Sequence, residues 1–226
     1  SFAIDPVKVH IIPHGNFDIY LPKNELTLDD ARSSLSLSVS DNVILFFGFI
    51  RPYKGIDLLL QAFEISAEKD SNLKLIIAGS VQDKDLESSI NSIINNSKFK
   101  DRIIHHLQYI PNEEIVKYFS ASDLVILPYK NIDHSGIIHL AYSFGKAVLS
   151  TNVGDFSEVI INDKSGKILK GASVNELSKT LIQMFQDKYR LQEMGEYAKS
   201  LSKTKYSWTD ISKQTIQLYS EVSSKK

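Results

Sequence analysis

Apolar residues in this chain follow two habits. Short unbroken runs such as Val43–Phe49 (VILFFGF), Leu73–Ala78 (LKLIIA) and Leu124–Leu127 are followed by stretches in which apolar residues return every three or four positions. An unbroken run reads as a strand covered on both faces, the habit of a parallel sheet. The wider spacing reads as a helix with one buried face. The pattern predicts a short β-rich run at Val7–Ile12, loop over Asn16–Glu25, a helix over Leu28–Leu37 capped by Thr27, the strand Val43–Phe49, a loop at Ile50–Gly55 and a helix over Ile56–Glu68. The strand Leu73–Ala78 comes next, closed by Gly79, then a helix capped by Asp83 or Asp85 with Leu86, Ile90, Ile93 and Ile94 on one face. Further on it predicts strand Ile103–Tyr109, helix Glu113–Ser120, strand Leu124–Leu127, a helix opening at Gly136, strand Ala147–Thr151, a short helix at Ser157–Ile161 and a small strand at Lys167–Leu169. Three helical stretches close the chain: Val174–Gln186, Tyr189–Leu201 and Thr209–Val222.

Strands that alternate with helices imply right-handed crossovers and a parallel sheet. No internal repeat, low-complexity tract or linker interrupts them. The expected fold is therefore α/β, a single doubly wound parallel sheet of Rossmann-like type, with extra C-terminal helices on one flank. Ligands of such sheets bind beyond the carboxyl ends of the strands. That rule selects the loops Gly48–Gly55, Gly79–Gln82, Gln108–Pro111, Pro128–Gly136 and Thr151–Glu158.

The segment from Tyr129 to Glu158 carries the strongest chemical signal. Asp133, His134, Ser135 and Gly136 form a polar loop directly ahead of an apolar helix. The first amides of a helix have no partner within it, and its dipole places about half a positive charge there. Gly136 has no side chain to keep a ligand off the backbone. Such a start suits an anion, phosphate above all; the alternative is an ordinary start capped by Ser135. Arg51 and Lys54 share the loop after Val43–Phe49, where two cations facing that helix would clamp a diphosphate; the alternative is a solvated basic turn. Gly48 and Gly79, at strand ends, would let a ligand approach the sheet edge. His134 could donate to a phosphate or sugar oxygen, and Glu158 could accept from sugar hydroxyls. Asp83-Lys84-Asp85 has the outline of a metal-binding pair, but aspartate at a helix start is routine capping. His105 and His106, inside a strand, and His139, one turn into the helix, read as structural. The glycine-rich dinucleotide and P-loop fingerprints are absent.

The balance of charge excludes some classes. The 226 residues carry a formal net charge of −1, which argues against a nucleic-acid binder held by a broad basic face. There is no cysteine, hence no disulfide and no thiolate zinc site, which fits a reducing, cytoplasmic setting. No apolar run reaches the roughly 18–20 residues of a membrane span. The chain starts at Ser1 rather than Met and shows no secretory leader, and so reads as a fragment or a processed chain.

Taken in order, FFGFIRPYKGIDLLLQAF, LKLIIAGS, QYIPNEEIVKYFSASDLVILPY, SGIIHLAYSFGKAVLSTNVGDFSEVI, VHIIPHG and YSWTDISKQTIQLYSEV resemble the C-terminal, donor-binding half of the family 4 (group 1) retaining glycosyltransferases of GT-B fold. The resemblance implies a nucleotide-sugar donor, with the diphosphate held by Arg51, Lys54 and the helix start Ser135–Ile137. It places base contacts around Gln108, Tyr109 and Ile110, and the sugar near Asp133, His134, Ser135 and Gly136. It implies no cofactor and no metal, with catalysis by electrostatic stabilisation of the departing diphosphate. It also implies an acceptor sugar or lipid-linked sugar bound by an N-terminal half absent from this chain, membrane contact, if any, peripheral and through that half, and a role in surface polysaccharide or glycolipid synthesis. The fragment alone is then expected to bind nucleotide and transfer little sugar.

The chain departs from the family at three places. The paired glutamates of the family fall at Ile132 and Leu140, and Phe49 stands where many members carry arginine. Asp133 is one place from the first glutamate, whereas Leu140 cannot hold a ribose. Two other readings stay open on these residues: a nucleotide-sugar epimerase or phosphorylase on the same fold, and a non-catalytic nucleotide-binding or scaffolding domain.

Overall fold

The computed structural model describes residues 8–22 and 26–224. Six strands form one parallel sheet: β1 (Asn42–Phe47), β2 (Leu73–Ala78), β3 (Ile103–His106), β4 (Leu124–Leu127), β5 (Ala147–Ser150) and β6 (Gly166–Ile168), in the order β3-β2-β1-β4-β5-β6. β1 is paired along its whole length with β2, from Asn42 opposite Leu73 to Phe47 opposite Ala78, and with β4 through Ile44 and Leu45. Every residue of β1, β4 and β5 is buried, which is why these strands read as unbroken apolar runs. The order reverses between β1 and β4, and there the loops diverge to open a crevice.

The helices are α1 (Leu28–Ser33), α2 (Ile56–Ala67), α3 (Lys84–Asn96), α4 (Ile115–Ala121), α5 (Gly136–Ser143), α6 (Phe156–Val159), α7 (Val174–Gln186), α8 (Lys188–Lys203) and α9 (Trp208–Ser224). Right-handed crossovers running outward from β1 and from β4 place helices on both faces of the sheet. The closing helices extend these layers, α7 against α2 and α8 against α5. The doubly wound sheet is as expected, and most differences from the predicted elements are at their ends. α1 stops at Ser33, not Leu37, because Ser36 turns left-handed (φ 56°) and the Leu37 amide returns to Arg32 O at 2.9 Å. β1 stops two residues before Phe49, at Gly48 (φ 97°). β3 ends at His106, opposite the last residue of β2, so Leu107–Tyr109 have no strand to pair with.

The run expected as a strand at Val7–Ile12 is not one over residues 8–12; Val7 itself lies outside the described residues, as do residues 23–25 of the expected loop Asn16–Glu25. Val9 and Ile11 are exposed, so the run has no sheet neighbour and no core to face. Far from the ligand end, buried Arg32 ties the base of the sheet together. It pairs with both oxygens of Asp123 (2.9 and 2.8 Å) and donates to the carbonyls of Ala121, Ser38, Val39 and Asp41.

Candidate functional site

Lys54 owes its position to the backbone around it. After β1 the chain runs extended through Arg51 and makes a 3-10 turn, Pro52–Lys54, with proline fixing its first residue. Gly55 then adopts a left-handed conformation (φ 70°), and a Cβ there would fall 1.9 Å from Pro128 O. Only glycine lets this loop press against the end of β4. The contact is reinforced by the Lys130 amide donating to Tyr53 O at 2.7 Å and by an ion pair between Lys130 and Asp57 at 2.7 Å. Lys54 is buried as a result, with Nζ 5.3 Å from the centre of the Tyr129 ring. Burial, reinforced by the nearby Arg51 charge, pushes the Lys54 ammonium down to about 8.

Lys54 and α5 converge on Gly48. A Cβ at Gly48 would lie 3.2 Å from Ile137 Cδ1 and 3.5 Å from Lys54 Nζ. Gly48 and Gly79 are closer still to each other, since a Cβ on Gly79 would meet Gly48 O at 2.0 Å. Here the two glycines first serve strand-end packing, and an open floor beside Lys54 is the consequence. Lys54, Gly48, Gly79, Tyr109, Ile110 and Ile137 line one cavity of about 220 Å³. At the α5 start, Ser135 Oγ accepts from the Ile137 amide at 3.4 Å, a long cap that leaves this end weakly satisfied. Tyr129 lies beneath, fully buried. Its hydroxyl is beside Ser135 without completing a hydrogen bond of ordinary geometry, and burial raises its pKa.

The expected residues therefore divide among three cavities, with Asp133 and Gln108 outside all of them. Arg51 does not join Lys54 in its cavity. It precedes the 3-10 turn instead of lying within it, points to Gln82 Oε1 (3.4 Å), and lines a neighbouring recess of about 130 Å³. His134, Ser135, Gly136 and Glu158 line a third cavity, about 550 Å³, at the α5 start, with His14, His139, Asp155 and Lys205. Asp133 is exposed, and its carbonyl accepts from the Asp155 amide at 3.0 Å; Gln108 is exposed and lines none of these cavities. Asp83 Oδ1 accepts from the amides of Asp85 and Leu86, so the acidic pair is a helix cap. His106 meets Tyr118 Oη at 2.7 Å, a structural role.

His139 is interior but not satisfied. Its Nδ1 has no hydrogen-bond partner, and the ring is held instead by stacking on His14 at 5.2 Å and by the edge contact with Tyr206 at 4.6 Å. Burial, with His14, Lys205 and His134 nearby, lowers it to about 4. Burial also holds the Asp155 carboxyl above the usual carboxylate range, against the pull of His134. Tyr129, Gly55, His14 and Asp155 were not singled out by sequence pattern. Only the glycine directly after Lys54 carried a signal, since a left-handed residue is the usual reason for glycine in such a turn.

Residues 29–201 match the family model for glycosyl transferases group 1. The chain belongs to that family. It is 28% identical over 214 residues to a D-inositol 3-phosphate glycosyltransferase of Corynebacterium urealyticum, covering 92% of this chain and 50% of that protein. Among solved structures, Anabaena Alr3699/HepE in complex with UDP and glucose superposes with a TM-score of 0.80 at 18% identity, over 92% of this chain and 55% of that one. The C-terminal domain of a group 1 glycosyl transferase (LpcC) of Francisella tularensis superposes with a TM-score of 0.73 at 17% identity, over 85% of this chain and 98% of that domain. The chain thus spans about half the length of the curated relatives it matches, and its fold matches that of the Francisella domain. No helix among the described residues is long and apolar enough to cross a membrane.

Proposed function

We propose that this group 1 glycosyltransferase domain binds the nucleotide-sugar donor of a retaining, metal-independent transfer, with the diphosphate between Lys54 and the amino end of α5. The observation that carries the reading is the approach of a buried ammonium, Lys54, and the side chain of Ile137, in the first turn of α5, to one glycine, Gly48. Lys54 supplies a point charge in a partly dry site, and the α5 amides supply a fixed dipole. Both act on the negative charge that grows on the departing diphosphate as the sugar becomes cation-like; losing one such donor costs on the order of 10²–10³ in rate. His134, Asp155 and Glu158, which line the cavity at the same helix start, would meet the sugar hydroxyls. Arg51 contributes from the rim. The acceptor, in the proposed setting of surface polysaccharide or glycolipid synthesis, would be brought by the other half of the enzyme, so this domain alone binds donor and transfers little.

Calorimetric titration of the chain with nucleoside diphosphates tests the reading. Binding that Lys54→Ala weakens at least tenfold, while binding of the corresponding nucleoside is unchanged, supports it. A folded sample that takes up no nucleoside diphosphate at millimolar concentration refutes it.

A further inference from the structure

The sheet has a further hollow, at the end away from Lys54. A cavity of about 610 Å³, larger than each of the three described above, opens between α1 and α8 where β1, β4 and β5 begin. Concave sites of a few hundred Å³, with apolar walls and a few converging polar groups, are where small molecules bind. Two glycines seat α8 there. A Cβ on Gly195 would fall 2.3 Å from Gly145 O, and one on Gly145, itself left-handed (φ 65°), 3.3 Å from Lys199 Cδ. The stem of Lys199 therefore lies over the turn that leads into Lys146.

The acids that line this cavity are engaged, and its lysines are not. Asp123 holds Arg32 with both oxygens and accepts from the Val43 amide at 2.7 Å; Asp41 accepts from the Ser38 amide at 2.7 Å, and Glu196 from Gln192 at 3.0 Å. Lys146 Nζ donates to the Ser122 carbonyl at 2.8 Å, which uses one of the three protons of an ammonium. Lys146, Lys188 and Lys199 form no ion pair among the described residues. Burial, opposed by Asp123 and aided by Arg32 and Lys199, lowers Lys146 to about 8; an incoming anion would restore its charge. Asn42, buried in the same wall, gives Nδ2 to Asp70 while its Oδ1 has no partner, so the polar wall is incomplete. Beside these groups, Leu28 and Val39 stand 44% and 55% exposed, apolar surface that a ligand could cover. We propose that this cavity is a second binding site, for a small amphiphilic anion whose acid group meets Lys146 and Lys199 and whose apolar body lies on Leu28, Val39 and Leu191. It is separate from the donor cavity, at the opposite end of the strands, and needs no nucleotide.

The test is a set of calorimetric titrations at pH 7 with octyl phosphate, inorganic phosphate and octanol. Octyl phosphate should bind at least about tenfold more tightly than either part alone, since only it meets both the lysines and the apolar wall. Lys146→Met and Lys199→Glu should each weaken it at least about tenfold, whereas Lys54→Ala, at the other end of the sheet, should leave it unchanged. Lys199 is exposed, so an unaltered melting temperature should show that variant folded even where loss of the Ser122 contact unsettles Lys146→Met. No uptake of octyl phosphate at millimolar concentration overturns the proposal, as does an affinity no better than that of inorganic phosphate or of octanol. Unchanged affinity in Lys199→Glu overturns it as well, and so does a loss in Lys54→Ala, which would move the ligand to the donor cavity. The titrations contain no nucleotide, so the donor-binding reading stands or falls separately.

Discussion

Lys54 Nζ lies 5.3 Å from the centre of the Tyr129 ring, so a cation from the loop after β1 rests on an aromatic face from the end of β4. The ring attracts the ammonium without neutralising it, and no hydrogen bond or ion pair within the chain engages Lys54 Nζ among the described residues. The two halves of the sheet thus meet at a charge that is held in place and still available to a ligand.

The two cations of the loop should differ in effect. Lys54→Ala should weaken nucleoside-diphosphate binding by roughly ten- to 150-fold, about 1.5–3 kcal/mol, the range for a charge-assisted hydrogen bond. Arg51 is exposed and turned to Gln82, so Arg51→Ala should cost no more than about 1 kcal/mol, less at high salt. Titrations of both variants at two salt concentrations check this; equal losses would place Arg51 inside the clamp.

Binding should also depend on pH. Lys54, lowered to about 8, is charged below that pH and neutral above it in the free protein. Diphosphate affinity should therefore be highest between about pH 7 and 8 and fall as pH rises, with proton uptake on binding between about pH 8 and 10 because the bound anion restores the charge; it should fall on the acid side too, as the phosphate's own pKa of about 6 is crossed. Stability of the free protein runs the other way. The unfolded chain keeps the lysine proton up to its ordinary pKa of 10.5, so the folded state gains on rising from about 8 to 10.5. Binding heats in buffers of different ionisation enthalpy report the uptake; no buffer dependence at pH 9 would exclude it.

Gly55 is the backbone device behind this arrangement. Gly55→Ala introduces a Cβ 1.9 Å from Pro128 O at φ 70°. The left-handed conformation and the overlap together should cost about 2–4 kcal/mol. Any folded fraction should also bind nucleotide more weakly, since Lys54 moves with the turn. Denaturant unfolding and calorimetry on one preparation check both; unchanged stability would mean that the turn does not bear on β4.

The architecture was legible because β1, β4 and β5 are covered on both faces and the helices between them on one, so burial wrote the pattern directly. The ends were less legible, since Gly48, Ser36 and the end of β2 stop their neighbours through backbone geometry and pairing, which side-chain periodicity does not record. At the site, Lys54, Gly48, Gly79, Tyr109, Ile110 and Ile137 could be gathered from strand-end loops alone. The divergence of Arg51 could not, because three residues in sequence do not tell whether a turn includes the first of them. Arg32 was silent for a similar reason: its partner Asp123 lies 91 positions away. Its burial follows from the meeting of α1 with the start of β4.

His139 provides a stability prediction independent of any ligand. It is 5% exposed, its Nδ1 is unpaired, and His14, His134 and Lys205 add positive charge around it, with Asp155 and Glu158 lining the same cavity. Lowered to about 4, it stays neutral in the folded state while the unfolded chain protonates it near the ordinary 6.5. Between these values the unfolded state binds more protons, so stability should fall as pH drops from 6.5 to 4, by on the order of 3 kcal/mol in all. His139→Leu removes the titration and leaves no hydrogen bond broken, because Nδ1 has none to lose. The variant should match or exceed the parent at pH 7 and should be clearly more stable at pH 5, as read from urea midpoints. Parallel midpoint curves for the two proteins across pH 7 to 4 would assign the acid sensitivity to other groups in the cavity, Asp155 first among them.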